Sequence, residues 1–244
     1  MIAGRNGRSI SVTTKPKPRA APPELSREAV VAAALAWVDA HGLEPFSVRA
    51  LAKSIGVFPA AIYWYVPSRE LLLAEVVAEV LRGFVPEWDG VDWRAYVTAL
   101  LHNFRAAVRR HPNVAPLIGT QLVSNTSIDF ALAERNLAAM AVAGFSGEAL
   151  VGAHNTLMAA LAGFTTQEFA PVPQNAQAWQ QAMRRRVAAI TAADYPALAA
   201  NLPSMTNRAF VLRWENGVAA PLDDSFAMFI RVVIAGLEAL APGG

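Results

Sequence analysis

The sequence predicts an all-α protein: a small N-terminal unit of three helices containing a helix-turn-helix, followed by a larger helical body. Three observations carry this expectation. Apolar residues make up 54% of the 244, much of that alanine and leucine, and β-branched runs are few; this composition favours helix over sheet. Apolar positions recur at three- and four-residue spacing from Val30 onward, as one face of a helix requires. Serine, glycine and proline stand where helices start and stop.

Residues 1–24, ending KPKPRAAPPE, have no periodicity and carry Arg5, Arg8, Lys15, Lys17 and Arg19 against Glu24; they read as a flexible basic arm. A first helix begins at Ser26, which can cap it, with Val30, Ala34, Trp37, Val38 and His41 as its periodic positions and Gly42 as its close. Ser47 caps a second helix whose inward stripe is Val48, Leu51, Ala52 and Ile55. Gly56 then stands where a residue past a helix end needs positive φ. Pro59 suits the first turn of a short third helix, and Pro67 ends it near Val66. Ser68 caps a fourth helix, apolar on one side over Leu71–Leu81.

The body continues in the same manner. Helices are expected over Trp93–Arg110, Val114–Val123 and Ser127–Ala143, and over Glu148–Phe169 with Ser146 as its cap. Residues 171–180 (PVPQNAQAWQ) read as a loop. Weaker helical pieces follow over Met183–Thr191, Leu198–Asn201 and Arg208–Asn216, and a last helix runs from Asp223 or Asp224 to Leu240. Three units result: the arm 1–24, the helix-turn-helix unit 25–70 and the body 71–244.

Charge is uneven along the chain. Residues 1–70 hold nine Lys or Arg against five Asp or Glu, and the rest hold twelve against fourteen. A basic front suits an anion-binding module, although a solvated surface would look the same. There is no cysteine, so neither a disulfide framework nor a thiolate metal site can form. The N-terminus has no apolar stretch of the signal-peptide kind. The most apolar runs, around Ala149–Phe164 and Phe226–Leu240, are interrupted by His154 and Asn155 and by Arg231 and Glu238, which speaks against a membrane span. A cytoplasmic protein is expected.

The stretch LSREAVVAAALAWVDAHGLEPFSVRALAKSIGVFPAAIYWYVPSRELLL, residues 25–73, resembles the DNA-binding domain of the tetracycline-repressor (TetR) family. The ordered elements are HGLEPFSVRALAKSIGV, then a short helix ending in IYWYV, then SRELLL opening the fourth helix. The other 170 or so residues resemble the family only in being helical with apolar late helices. The resemblance implies a homodimeric transcriptional regulator, most simply a repressor, that binds a palindromic double-stranded DNA operator and is released by a small-molecule effector. No enzyme, no cofactor and no membrane partner are expected, and nothing in the sequence spells a metal site, although some members of that family bind their effector with a metal.

By position within that resemblance, Ser47 would offer its hydroxyl or neighbouring amides to a phosphate, and Arg49 would reach a guanine edge or a phosphate. Phe58, Pro59, Ala60 and Ala61 begin the recognition helix. Tyr63 and Trp64 would lie toward the groove, and Arg69 would clamp a phosphate. Lys53 and the arm are weaker candidates. The FPAA stretch departs from the family, which often carries Ser, Thr or Gln there; methyl contact and shape readout would have to replace hydrogen bonding.

In the body, His102, Phe104, Met140, His154, Met158 and Trp179 are candidates for an effector pocket, with core packing the plain alternative. Dimerisation is expected through the two late apolar helices, at Gly152, Ala159, Ala160, Gly163, Phe226, Ile230, Ala235 and Gly236, packed as a four-helix bundle. Arg184, Arg185 and Arg186 read as a solvated helix face. The competing functions are a helical enzyme or carrier, for which no HExxH, GxSxG or phosphate loop appears, and a small-molecule-binding or partner-binding protein whose third helix no longer reads DNA.

Overall fold

The computed structural model describes residues 25–124, 130–173 and 175–241. The arm 1–24 and the expected helix start at Ser127 lie outside the described residues. Among the described residues there are eleven α-helices and no strand.

The N-terminal unit follows its punctuation. Helix α1 (Arg27–His41) is capped by Ser26 Oγ, which accepts from Ala29 N at 3.1 Å, and closes at Gly42 with φ of 80°. Helix α2 (Val48–Ile55) starts in the same way, with Ser47 Oγ accepting from Ala50 N at 3.1 Å. Gly56 takes the left-handed conformation (φ 73°, ψ 30°), its N–H reaching back to Ala52 and Lys53 carbonyls; a side chain there would be strained. Helix α3 (Pro59–Tyr65) has proline in its first turn, and α4 (Arg69–Val80) is capped by Ser68 Oγ. Val30, Val31, Ala34, Val38, Leu51, Ala52, Ile62 and Val66 close a small core between them.

That core continues without a break into the body. Helix α4 is the bridge: Leu72, Leu73, Val76, Val77 and Val80 are buried, and it packs on α1 as well as on α6 (Ala115–Ser124). A second attachment joins α1 to the turn after α5 (Trp93–Arg110). Asn113 Nδ2 donates to the carbonyls of Val38 (3.1 Å) and Asp39 (3.0 Å) in the last turn of α1, and the Val38 carbonyl also accepts the Gly42 N–H at 2.8 Å. His111 Nδ1 sits 2.8 Å from Asp39 Oδ2. Arg27 and Glu75 form an ion pair between α1 and α4.

The body packs α5, α7 (Phe130–Val142), α8 (Gly147–Glu168) and α11 (Asp223–Leu240) around Leu100, Phe104, Met140, Leu157, Leu161 and Phe226. Between α8 and α11 the chain makes an excursion through α9 (Ala176–Ala188) and α10 (Pro196–Met205), neither of which has a buried residue. Here the sequence-based expectation fails. The loop ends early because alanine and glutamine from Ala176 onward are good helix formers once the prolines at 171 and 173 are passed. Helix α10 is longer than Leu198–Asn201 and runs through Pro203. The expected helix Arg208–Asn216 is a single 3-10 turn, Phe210–Leu212. Asn207 replaces helical bonding there: its N–H donates to Leu212 O at 2.9 Å, and its side-chain oxygen accepts from Trp214 N at 3.0 Å. The positive φ of 57° at Asn207 suits an asparagine turn.

Candidate functional site

The sides of α3 are sharply divided. Ile62 and Val66 are fully buried, while Ala60, Tyr63, Trp64 and Pro67 are exposed at the three- and four-residue spacing of one helix face. Trp64 is 85% exposed, Phe58 at the cap position is 84% exposed and Tyr63 45%. Pro59 and Ala61 are half-buried at its margin. Beside this face, α2 turns Ser47, Arg49 and Lys53 outward. Residues 45–69 contain Arg49, Lys53 and Arg69 and no Asp or Glu, so the surface is cationic as well as aromatic.

Two of the expected contacts already have partners within the chain. The Ser47 oxygen accepts the α2 cap bond, which leaves its hydroxyl proton free to donate. Arg69 is half-buried, its guanidinium carbon 5.7 Å from the centre of the Phe46 ring. That stacking orients it without using its N–H donors.

Of the six expected pocket residues, Phe104 and Met140 lie in one apolar core with Met158 packed against it. Phe104 and Met140 are core residues, 1% and 0% exposed; a buried stripe and a pocket lining look alike in sequence. His102 is exposed, its ring edge-on to Phe226 at 5.3 Å. Trp179 is half-buried on α9. His154 and Met158 are half-buried on α8, and Met158 Sδ lies 3.6 Å from Asn136 Nδ2. The His154 Nδ1 atom is enclosed with no hydrogen-bond partner among the described residues, and desolvation holds the imidazole below its ordinary value of 6.5. Below that pH the unfolded chain takes up this proton before the folded chain does, so His154 costs stability as pH falls through 6.5. His154→Gln is therefore expected to lose less stability than the wild type between about pH 7.5 and 5.5 in urea unfolding.

A cleft of about 540 Å³ opens instead at the start of α5, bounded by Glu87, Trp88, Asp89, Asp92, Ala95, Tyr96 and Ala99. Hydrogen bonds from the Val91 and Asp92 amides hold the Asp89 carboxyl below its usual range, and Asp92 caps α5.

Two buried polar groups were missed from the sequence. Tyr96 donates its hydroxyl to Asn136 Oδ1 at 2.8 Å inside the body. Arg105 makes a two-pronged pair with the fully buried Glu168, at 2.7 and 2.6 Å, and reaches Asp223 at 2.7 Å. Burial opposes charge on Arg105, but the bonds to Glu168 and Asp223 outweigh it and raise its affinity for a proton. Arg213 stands near the same carboxylate; burial lowers its affinity for a proton, opposed by Glu168 and Glu215. The available signal was a charged residue on an apolar stripe: Arg105 among Leu101, Phe104 and Val108, and Glu168 among Leu161, Phe164 and Thr165.

The expected dimer residues separate into two groups. Gly152, Ala159, Ala235 and Gly236 are exposed, Gly163 is half-buried, and no neighbour among the described residues occupies the space a side chain would take at any of the three glycines. Val151, Met228, Val232 and Leu240 extend this apolar surface on α8 and α11, at 55%, 52%, 61% and 75% exposure. Ala160, Phe226 and Ile230 must be corrected: they are 8%, 1% and 6% exposed and pack inside their own chain. Phe226 lies 5.2 Å from Phe164, with the Arg105 guanidinium 4.5 Å over its ring.

Comparison with known proteins resolves the class. Residues 30–76 match the family described as "Bacterial regulatory proteins, tetR family", and residues 85–241 match "Tetracyclin repressor-like, C-terminal domain". The chain belongs to the TetR family. It is a transcriptional regulator of that family. An HTH-type transcriptional regulator of Saccharopolyspora erythraea is 28% identical over 186 residues, covering 75% of this chain and 77% of that protein. The HTH-type transcriptional repressor DrrR1 of Streptomyces coeruleorubidus is 37% identical over 92 residues, 37% of this chain and 34% of that protein. Among solved structures, the TetR family protein ActR of Streptomyces coelicolor in complex with actinorhodin has a TM-score of 0.67 at 22% identity, covering 91% of this chain and 100% of that one. BioQ with its double-stranded DNA operator has a TM-score of 0.60 at 21% identity, covering 88% and 99%. These two likenesses show the shared TetR-family fold. No described helix is long and apolar enough to cross a membrane.

Proposed function

We propose that this TetR-family chain is a homodimeric repressor acting in the cytoplasm, which binds a palindromic operator and is released by a small-molecule effector. Residues 25–70 would form the DNA-binding unit and residues 71–244 the effector-binding and dimerisation body. The observation that carries this reading is the exposed face of α3 set beside the outward Ser47 cap and the outward Arg49 and Lys53 of α2, in a stretch, residues 45–69, that contains no Asp or Glu. A single helix fits the major groove, and flanking cations hold its register on the phosphates. BioQ with its operator and the repressor DrrR1 are relatives consistent with it.

Release requires an effector that favours a DNA-incompetent state by differential affinity. The cleft bounded by Trp88, Asp92 and Tyr96 offers room for one at the start of α5, and α4 would carry the bias because its side chains belong to both cores.

The test is a titration of the protein onto its own upstream DNA at several salt concentrations. Salt-sensitive, sequence-selective retention is expected. Arg49→Ala and Tyr63→Ala are each expected to weaken it about tenfold, within the usual 1–3 kcal/mol of a good contact. Unchanged affinity in both variants would favour a partner-binding protein with this fold.

A further inference from the structure

The first turn of α3 lacks the side chains that normally read bases. From Val57 to Ile62 the chain runs Val, Phe, Pro, Ala, Ala, Ile; none of these side chains donates or accepts a hydrogen bond. The hydrogen-bonding groups on the exposed face come later, at the Tyr63 hydroxyl and the Trp64 indole N–H. Phe58 nevertheless stands 84% exposed at the cap position, a large apolar ring turned to the surface with no side-chain cap bond. Its occupant must offer apolar surface, and it must also satisfy the cations Arg49 and Lys53 alongside. Double-stranded DNA meets both requirements. The major groove presents one apolar group, the C5 methyl of thymine.

We propose that Phe58, with Ala60 and Ala61, reads thymine methyl groups, and that sequence discrimination at the start of α3 rests on methyl contact instead of hydrogen bonds. This rests on the operator-binding reading above and adds to it the chemistry of the half-site: thymines lie under the first turn of α3. Tyr63 and Trp64 act further along the face, where a hydroxyl and an N–H suit sugar and phosphate oxygens. Burying one methyl group changes affinity about fourfold, so a contacted thymine in each half-site is worth about sixteenfold.

The experiment begins with the full-length protein and selection of bound duplexes from a random pool. In the enriched site each thymine is then replaced by deoxyuridine, which removes the methyl and keeps the pairing. The expected result is about a fourfold loss at the contacted thymines and none at flanking ones. Replacing a contacted T·A pair with 5-methylcytosine·G, which keeps a methyl in the groove, is expected to bind better than unmethylated C·G. Phe58→Ala should bring the thymine-to-uridine ratio close to one at the thymine under Phe58, with an unchanged melting temperature, while Phe58→Leu retains discrimination there. An enriched site that is indifferent to deoxyuridine overturns the methyl reading and leaves operator binding standing. Failure to enrich any sequence overturns both. A Phe58→Ala protein that still discriminates thymine from uridine removes Phe58 from the role.

Discussion

Glu168→Ala is expected to destabilise the protein by about 3–5 kcal/mol, the range for breaking a buried ion pair from one side. Glu168 is 0% exposed and receives two bonds from Arg105 and one from the Leu222 amide at 2.9 Å. Its main-chain oxygen also accepts from Gly217 N at 2.7 Å. Removing the carboxylate leaves Arg105 with the exposed Asp223 as its carboxylate partner, and takes from Arg213 the nearby charge that favours its ionised form. At fixed protein concentration the melting temperature should fall by on the order of 10 °C. The matched double variant Arg105→Met with Glu168→Leu should recover most of that loss, because the desolvation of both charges goes with the pair. Chemical unfolding of the three proteins checks the argument. A single variant within about 1 kcal/mol of wild type would show the pair to be solvated and dispensable.

Val232→Asp is expected to convert a dimer to a monomer and to weaken operator binding at least a hundredfold, with little change in the fold of each chain. Val232 is 61% exposed, so the substitution costs the isolated subunit little. In a dimer built on α8 and α11 it would bury one carboxylate from each copy without a partner, at several kcal/mol apiece. Two half-sites then lose the gain of simultaneous engagement. Sedimentation and operator titration of the same samples measure both effects. Val211→Asp, at a 73% exposed position in the 3-10 turn Phe210–Leu212, serves as the control and should leave the assembly intact. A Val232→Asp dimer of wild-type affinity would move the interface elsewhere.

The legible parts of the sequence were those governed by a residue and its immediate neighbours. Ser26, Ser47 and Ser68 each accept the amide three residues on, Gly56 takes positive φ, and Pro59 and Pro67 bracket α3. Each of these is a local transaction and needs no knowledge of the rest of the chain. The face of α3 was legible for the same reason, since Ile62 and Val66 choose one side and leave Tyr63 and Trp64 on the other. The excursion through α9 and α10 carries weak local signals: Asn175 and Tyr195 make no side-chain cap bond, and neither helix has a buried stripe. Phe226 and Ile230 failed for a different reason. Helix α11 is apolar on more than one side, and sequence alone does not say which side its own chain covers. The pocket was illegible because Phe104 and Met140 carry the same pattern whether they enclose a ligand or one another.

The bond from Asn113 to the last carbonyls of α1 has a mechanical meaning. A unit hung on α4 alone could swing in any direction when α4 moved. Pinned also at the turn after α5, it would be left one easy motion, a tilt about the line joining the two attachments. An effector would then change the pitch at which each reading helix meets the duplex, and a rotation of a few degrees would suffice to lift the far end of α3 out of register with its bases.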